Sequence, residues 1–293
     1  MNNSLQPVLN WRTLSSLALT LAGTVSLRAQ VVTLTDGNSV ANVNLGGGAG
    51  NLGMNSWTVN NVNQLNQQWF WFRTDGGLAQ PINTIGNLSQ VHNVNSLNAS
   101  YTSFNNYSVT ISYQLSGGLP GGSDWTSDIL ESISIQNLSA NPLSFHFYQY
   151  SDFNLNGTVG NETAQIFSSG GSFTKANVTK VNAPSQVSET IDSPLANYAE
   201  AGLTSDSPNT LTRLGTVSNL QLNNTTLSGP DSPPGTADAT WALEWDFTIA
   251  GNSSQDVLKD KKLSVAPIPE PSVLALLSLG LAGFALRRNR RSA

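Results

Sequence analysis

The chain has 293 residues, 13 lysines and arginines against 18 acids, a formal net charge of −5, and no cysteine. The missing thiols exclude disulfides, thiolate nucleophiles and cysteine-ligated metals together, and two histidines leave little for a zinc centre or a Ser-His-Asp triad. Only 11% of residues are charged, so solubility rests on neutral polar groups, while 39% apolar residues suffice for a core.

Residues 1–29 read as a secretory signal peptide. Arg12 precedes a mostly apolar stretch over 14–27, too short for a comfortable membrane span, and Ala29 offers a small residue for cleavage. Beyond it, residues 31–266 keep 7 cations and 17 anions. That balance excludes nucleic acid as a partner, since phosphate binding needs basic patches. It fits a body facing water, with divalent cations as possible companions.

The body over 30–263 reads as all-β, because the apolar residues alternate with period two and no helical period is sustained. Gly46 to Gly53 forms a loop; it lacks a following Gly-Lys-Ser/Thr and so is no phosphate loop. Trp69-Phe70-Trp71-Phe72 is apolar on both faces, as a central strand would be. Tyr107, Val109, Ile111, Tyr113 and Leu115 share one face, with Ser108, Thr110, Ser112 and Gln114 on the other. Residues 129–136 and 143–150 are two more strands, joined by what reads as a hairpin loop at Asn137, Ser139, Asn141 and Pro142.

Short strands are expected near 164–167, 173–181 and 211–222, and a Pro/Gly-rich loop over 228–235. Trp241, Leu243, Trp245, Phe247 and Ile249 alternate with Ala242, Glu244, Asp246 and Thr248, which predicts one dry and one wet face. Residues 256–265 carry a charged run leading into a linker. The whole predicts a single enlarged antiparallel β-sandwich, jelly-roll-like, of roughly 10–14 strands. No internal repeat is present, which argues against a propeller or solenoid.

Five sets of body residues come into question for chemistry. Asp152, Asn154 and Asn156 place oxygens at alternate positions before Gly157, as the opening of a calcium loop does. Its closing acid would be twelfth, at Thr163, whereas Glu162 is eleventh, and no helix flanks it; an Asn-Gly turn is the alternative. Trp57, Trp125, Tyr148 and Tyr150 could stack on sugar rings if exposed, or pack in the core. Glu244 and Asp246 lie two apart on one strand face, about 7 Å between Cα atoms, a spacing that glycosidase carboxylates share and that solvated side chains share too. Asp124, Asp128 and Glu131 read as a solvated acidic stretch, and His92 and His146 as structural or surface residues. No nucleophile–base–orienter set can be assembled, so no catalytic residue is assigned.

The chain ends with Pro267-Ile268-Pro269-Glu270-Pro271, an uncharged run over 272–286, and Arg287-Arg288-Asn289-Arg290-Arg291. Prolines forbid a helix through the first part. The apolar run is marginal for a span on length, but the arginines can snorkel and hold the tail on the cytoplasmic side. Pro-Glu-Pro, a short apolar helix and a terminal arginine cluster, in that order, resemble the PEP-CTERM sorting signal of Gram-negative bacteria, here over 264–293. The resemblance implies a transmembrane helix over 272–286 and an inner-membrane-anchored precursor. It implies recognition of Pro269, Glu270 and Pro271 by an exosortase, with Arg287, Arg288, Arg290 and Arg291 as the tail. It also implies delivery through the secretion machinery to the cell surface or an exopolysaccharide matrix.

Proteins with such tails share no activity. The body is therefore read as structural or binding in role and not as an enzyme, with no cofactor unless Ca²⁺ occupies the Asp152 loop. Alternatives are a carbohydrate-binding module on exopolysaccharide, a hydrolase using Glu244 or Asp246, and an ice-binding protein. The last finds no regular Thr-x-Thr array beyond Thr33 and Thr35.

Overall fold

The computed structural model describes residues 31–46, 51–104, 106–120 and 125–265. The expected signal peptide over 1–29 and the helix over 272–286 lie outside them, as do Asp124 and the sorting-motif residues. In chain order the strands are β1 (Val31–Asp36), β2 (Ser39–Asn44), β3 (Gly53–Val59), β4 (Val62–Asn63), β5 (Leu65–Arg73), β6 (Gln80–Pro81), β7 (Leu88–His92), β8 (Ser96–Ser103) and β9 (Tyr107–Gly117). There follow β10 (Thr126–Asn137), β11 (Leu143–Phe153), β12 (Glu162–Ser169), β13 (Ser172–Lys180), β14 (Gln186–Ser193), β15 (Tyr198–Leu203), a helix α1 (Thr210–Thr216), β16 (Leu227–Ser228), β17 (Ala239–Ile249) and β18 (Ser254–Ser264).

They form two antiparallel sheets. The first runs β1-β2-β3-β5-β11-β17-β15, with β4 on β3 and β6 on β5; the second runs β16-β12-β13-β14-β18-β10-β9-β8-β7. Tight turns make many of the links. Asn60 and Asn61 sit at φ 48° and 66° between β3 and β4, the paired left-handed geometry that two-residue hairpins need and that asparagine tolerates.

The period-two reading holds where one face is dry. On β9, Val109, Ile111, Tyr113 and Leu115 are buried while Gln114 and Ser116 are exposed. β5 is a central strand, and Trp69 to Phe72 are buried on both of its faces. The sheets pack through aromatic rings: Phe72 and Phe145 stack at 5.7 Å, and Tyr107 of β9 meets both. Trp57 Nε1 donates across to Ser127 Oγ at 2.9 Å.

Two expectations are corrected. β10 and β11 are not a hairpin, because they belong to opposite sheets. The Asn137 amide holds this crossover by donating to the carbonyls of Asn141, Ile249 and Ala250 at 2.8, 3.0 and 3.1 Å. Residues 211–222 are not a strand: α1 opens there, with Asn209 Oδ1 accepting from the Thr212 N–H at 2.8 Å as its cap. The charged run expected to lead into a linker is itself most of a strand, β18, which lies between β14 and β10 in the middle of the second sheet.

β18 alternates strictly, and it turns Val257, Lys259, Lys261 and Leu263 inward. Glu131 on β10 is the register partner of Lys259, and Glu189 on β14 that of Lys261. All four charged side chains are 0% exposed. Glu131 is therefore no solvated acid. Lys259 pairs with Glu131, and Lys261 Nζ lies 2.7 Å from Glu131 Oε2 and 3.1 Å from Glu189 Oε1. Trp241 Nε1 and Gln149 Nε2, from the first sheet, donate to Glu189 Oε2 at 2.7 and 2.6 Å. Two buried cations thus answer two buried anions, which is the condition under which charge is tolerated in a core.

Candidate functional site

Two surfaces carry groups with chemical potential. The first is the outer face of the first sheet. Because β5, β11 and β17 are neighbours in register, their side chains line up in rows across the strands: Arg73–His146–Asp246, then Trp71–Tyr148–Glu244. Sequence distance hid this, since His146 and Asp246 are 100 residues apart.

The face was expected to be wet at Glu244, and it is not. The segment over 217–225 crosses it, burying Leu220 and Leu222. Tyr148 Oη donates to the Leu220 carbonyl at 2.8 Å, Arg73 Nε donates to Tyr148 Oη at 2.8 Å, and the Leu222 N–H donates to Glu244 Oε2 at 2.9 Å. Glu244 is 0% exposed. Burial above all pushes its carboxyl up to about 7, with the Leu222 amide opposing and the Asp246 charge adding to the rise. Burial likewise raises the Tyr148 phenol.

Past the edge of the cover the row opens to water. The side chains of His146 and Asp246 are 21% and 34% exposed and touch each other through Nδ1 and Oδ1. One ligand atom each from His146, Glu244 and Asp246 lies within 4.8 Å of the other two. A paired imidazole and two carboxylates at that spacing can bind a cation or exchange protons.

The second surface is the outer face of the second sheet, clothed in hydroxyls and amides. Asn98, Ser112 and Ser132 are successive register partners across β8, β9 and β10. With Gln114, Val91 and Leu130 they line a groove of about 250 Å³. Val91 and Leu130 are 70% and 47% exposed, so the groove joins apolar patches to neutral polar groups.

The remaining candidates from sequence fall elsewhere. Trp57, Tyr148 and Tyr150 are buried, so the expected stacking faces are not at the surface. Tyr148 and Tyr150 lie on β11, which is covered on both sides, and Trp57 points from β3 to Ser127 of the opposite sheet, neither of which alternation alone reveals. Trp125 is half-buried against the core. His92 is exposed beside Gln90, and Asp128 is half-buried.

Asp152, Asn154 and Asn156 each have a different hydrogen-bond partner. Asp152 is a β11 residue whose Oδ2 accepts from Asn66 at 2.9 Å, and Asn156 Oδ1 accepts from Ser185. The Asn154 amide is turned to Asp238. Asn156 at φ 62° makes the turn. Glu162, the acid nearest the closing position, instead accepts from the Leu155 N–H at 2.7 Å. Burial foremost pushes Asp152 up to about 7 and Glu162 up to about 8.

Residues 267–291 match the PEP-CTERM protein-sorting motif, so the chain carries an export signal and is a substrate type for the exosortase system. No curated protein matches the chain. Among solved structures, it is similar to a bacterial glucoamylase complexed with acarbose, with a TM-score of 0.54 and 8% identity over 86% of this chain. It spans only 36% of that protein's length. A galactose mutarotase related enzyme from Lactobacillus acidophilus gives a TM-score of 0.51 at 7% identity, over 82% of this chain and 100% of that one. The Slr1438 protein from Synechocystis sp. PCC 6803 gives 0.50 at 11% identity, over 82% and 97%. At such identities the likeness establishes the fold alone.

Proposed function

We propose that the exported body is a saccharide-binding protein of the cell surface or extracellular matrix, and that the groove on the outer face of the second sheet receives the sugar. The groove carries this reading. A sugar ring presents hydroxyls that donate and accept, and C–H faces that are apolar. Asn98, Ser112, Gln114 and Ser132 supply uncharged donors and acceptors side by side, and Val91 and Leu130 supply exposed apolar area between them. A neutral lining suits a neutral ligand, because it sets no buried charge against hydroxyl groups. The fold also serves a glucoamylase and a mutarotase related enzyme, which supports a sugar ligand without naming it.

The role is binding and not hydrolysis. Glu244, half of the carboxylate pair weighed from the sequence, is buried and lies on the other sheet from the groove. Glycan-array screening of the purified chain, followed by calorimetry on the best ligand, tests the reading. Leu130→Ala and Gln114→Ala should each weaken binding at least tenfold with unchanged melting. Binding that both variants leave intact, or release of sugar from a polysaccharide, would overturn it.

A further inference from the structure

His146, Glu244 and Asp246, from two adjacent rows, set two carboxylates and an imidazole together, and among the described residues no lysine or arginine is ion-paired with them. Among the described residues Arg73 lies in the row of His146 and Asp246, next to that of Glu244, but it forms no ion pair with either carboxylate. Its guanidinium is held by Tyr148 Oη at 2.8 Å, the Asp75 carbonyl at 2.9 Å and the Leu220 carbonyl at 3.4 Å.

A second observation is independent of that spacing. Glu244 is fully buried, and its Oε1 accepts no hydrogen bond. The Tyr148 hydroxyl on the neighbouring strand donates to the Leu220 carbonyl at 2.8 Å. A buried carboxylate oxygen without a donor is costly and calls for a partner. The same carboxyl group supplies one of the three ligand atoms that His146, Glu244 and Asp246 bring within 4.8 Å of one another.

We propose that His146, Glu244 and Asp246 form a binding site for a first-row divalent cation of the zinc class. The donor set decides the class: one imidazole nitrogen with two carboxylates suits borderline ions such as Zn²⁺, whereas Ca²⁺ and Mg²⁺ take oxygen throughout. Ligands about 2.1 Å from one ion are at most about 4.2 Å apart, so the three atoms must close up slightly from the present 4.8 Å limit. The two partly exposed members, His146 and Asp246, have room to do so. The ion would replace their direct contact, give Glu244 a partner, and keep a further position open to water. Adjacent central strands fix the ligands, which is what a rigid metal site needs. The site faces away from the saccharide groove and does not depend on it.

The test uses the full-length chain, stripped with a chelator and titrated with ZnCl₂ against a competing metal indicator. One Zn²⁺ should bind per chain and raise the melting temperature. His146→Ala and Glu244→Gln should each lower the affinity at least tenfold, while His92→Ala leaves it unchanged. Asp246→Asn guards against a folding artefact: it should melt like the wild type without metal and lose the zinc-dependent shift. No uptake by the wild-type chain, full uptake by His146→Ala, or an equal shift with CaCl₂ would each overturn the proposal.

Discussion

The quartet of Glu131, Glu189, Lys259 and Lys261 and the set of His146, Glu244 and Asp246 use the same kinds of side chain to opposite ends. The quartet is closed. Every member is fully buried, cations equal anions, and Glu189 is further held by Trp241 and Gln149. Burial alone would raise the Glu189 carboxyl, but Lys261 and Lys259 outweigh it and hold it below its usual range. The second set is open: two carboxylates face one imidazole, and the outer pair meets water. Balance and closure make a structural element, while imbalance at a solvent edge makes a place for a ligand.

The sharpest way to break this contrast is to unbalance the quartet. Lys259→Met leaves a buried carboxylate unanswered and should cost about 3–5 kcal/mol, read by urea denaturation. Replacing all four by apolar residues of similar volume should cost far less, since paired burial roughly cancels its own desolvation penalty. If the single change is as mild as the fourfold one, the quartet does not work as a balanced set.

A smaller effect comes from carboxyls whose burial is not fully matched by cations. Asp152 and Glu162 have folded pKa values of about 7 and about 8. Their unfolded values are near 4. Between these limits the folded chain keeps protons that the unfolded chain has released, so stability falls as pH rises. Melting should be highest near about pH 5 and several degrees lower at about pH 8.5. Glu162→Gln should flatten that slope.

The smallest effect is expected at the open set. Asp246→Asn breaks a partly exposed pair and should change stability by no more than about 0.5 kcal/mol in metal-free buffer. A loss as large as that of Lys259→Met would mean that this set is structural too.

Strands with one dry face were legible in the sequence because alternation is a local signal. Tyr107 to Leu115 needed no partner to be read. β18 was not legible, because Lys259 and Lys261 occupy the inward positions where apolar residues are expected. α1 was hidden by threonine and leucine, which suit strands as well; the cap at Asn209 was the available clue. The burial of Glu244 depends on a segment that returns over the sheet from 22 residues away, and no periodicity records such a cover. Glu244 and Asp246 were visible as a pair, but His146 joins them only through strand register. For the same reason Trp57, Tyr148 and Tyr150 could be listed as aromatic candidates but not sorted into surface and core.

β18 also governs when the molecule can finish folding. The second sheet consists of two four-stranded halves, β16-β12-β13-β14 and β10-β9-β8-β7, and only β18 bridges them. Its pairing of Lys259 with Glu131 spans 128 positions of chain. Contacts of such separation are made late, after the entropy of a long loop has been spent. The body therefore cannot close until nearly its last residue has emerged, and the keystone ends at Ser264, three residues before the matched sorting motif begins. Completion of the fold and presentation of the sorting signal are thereby tied to the same moment in the chain's passage.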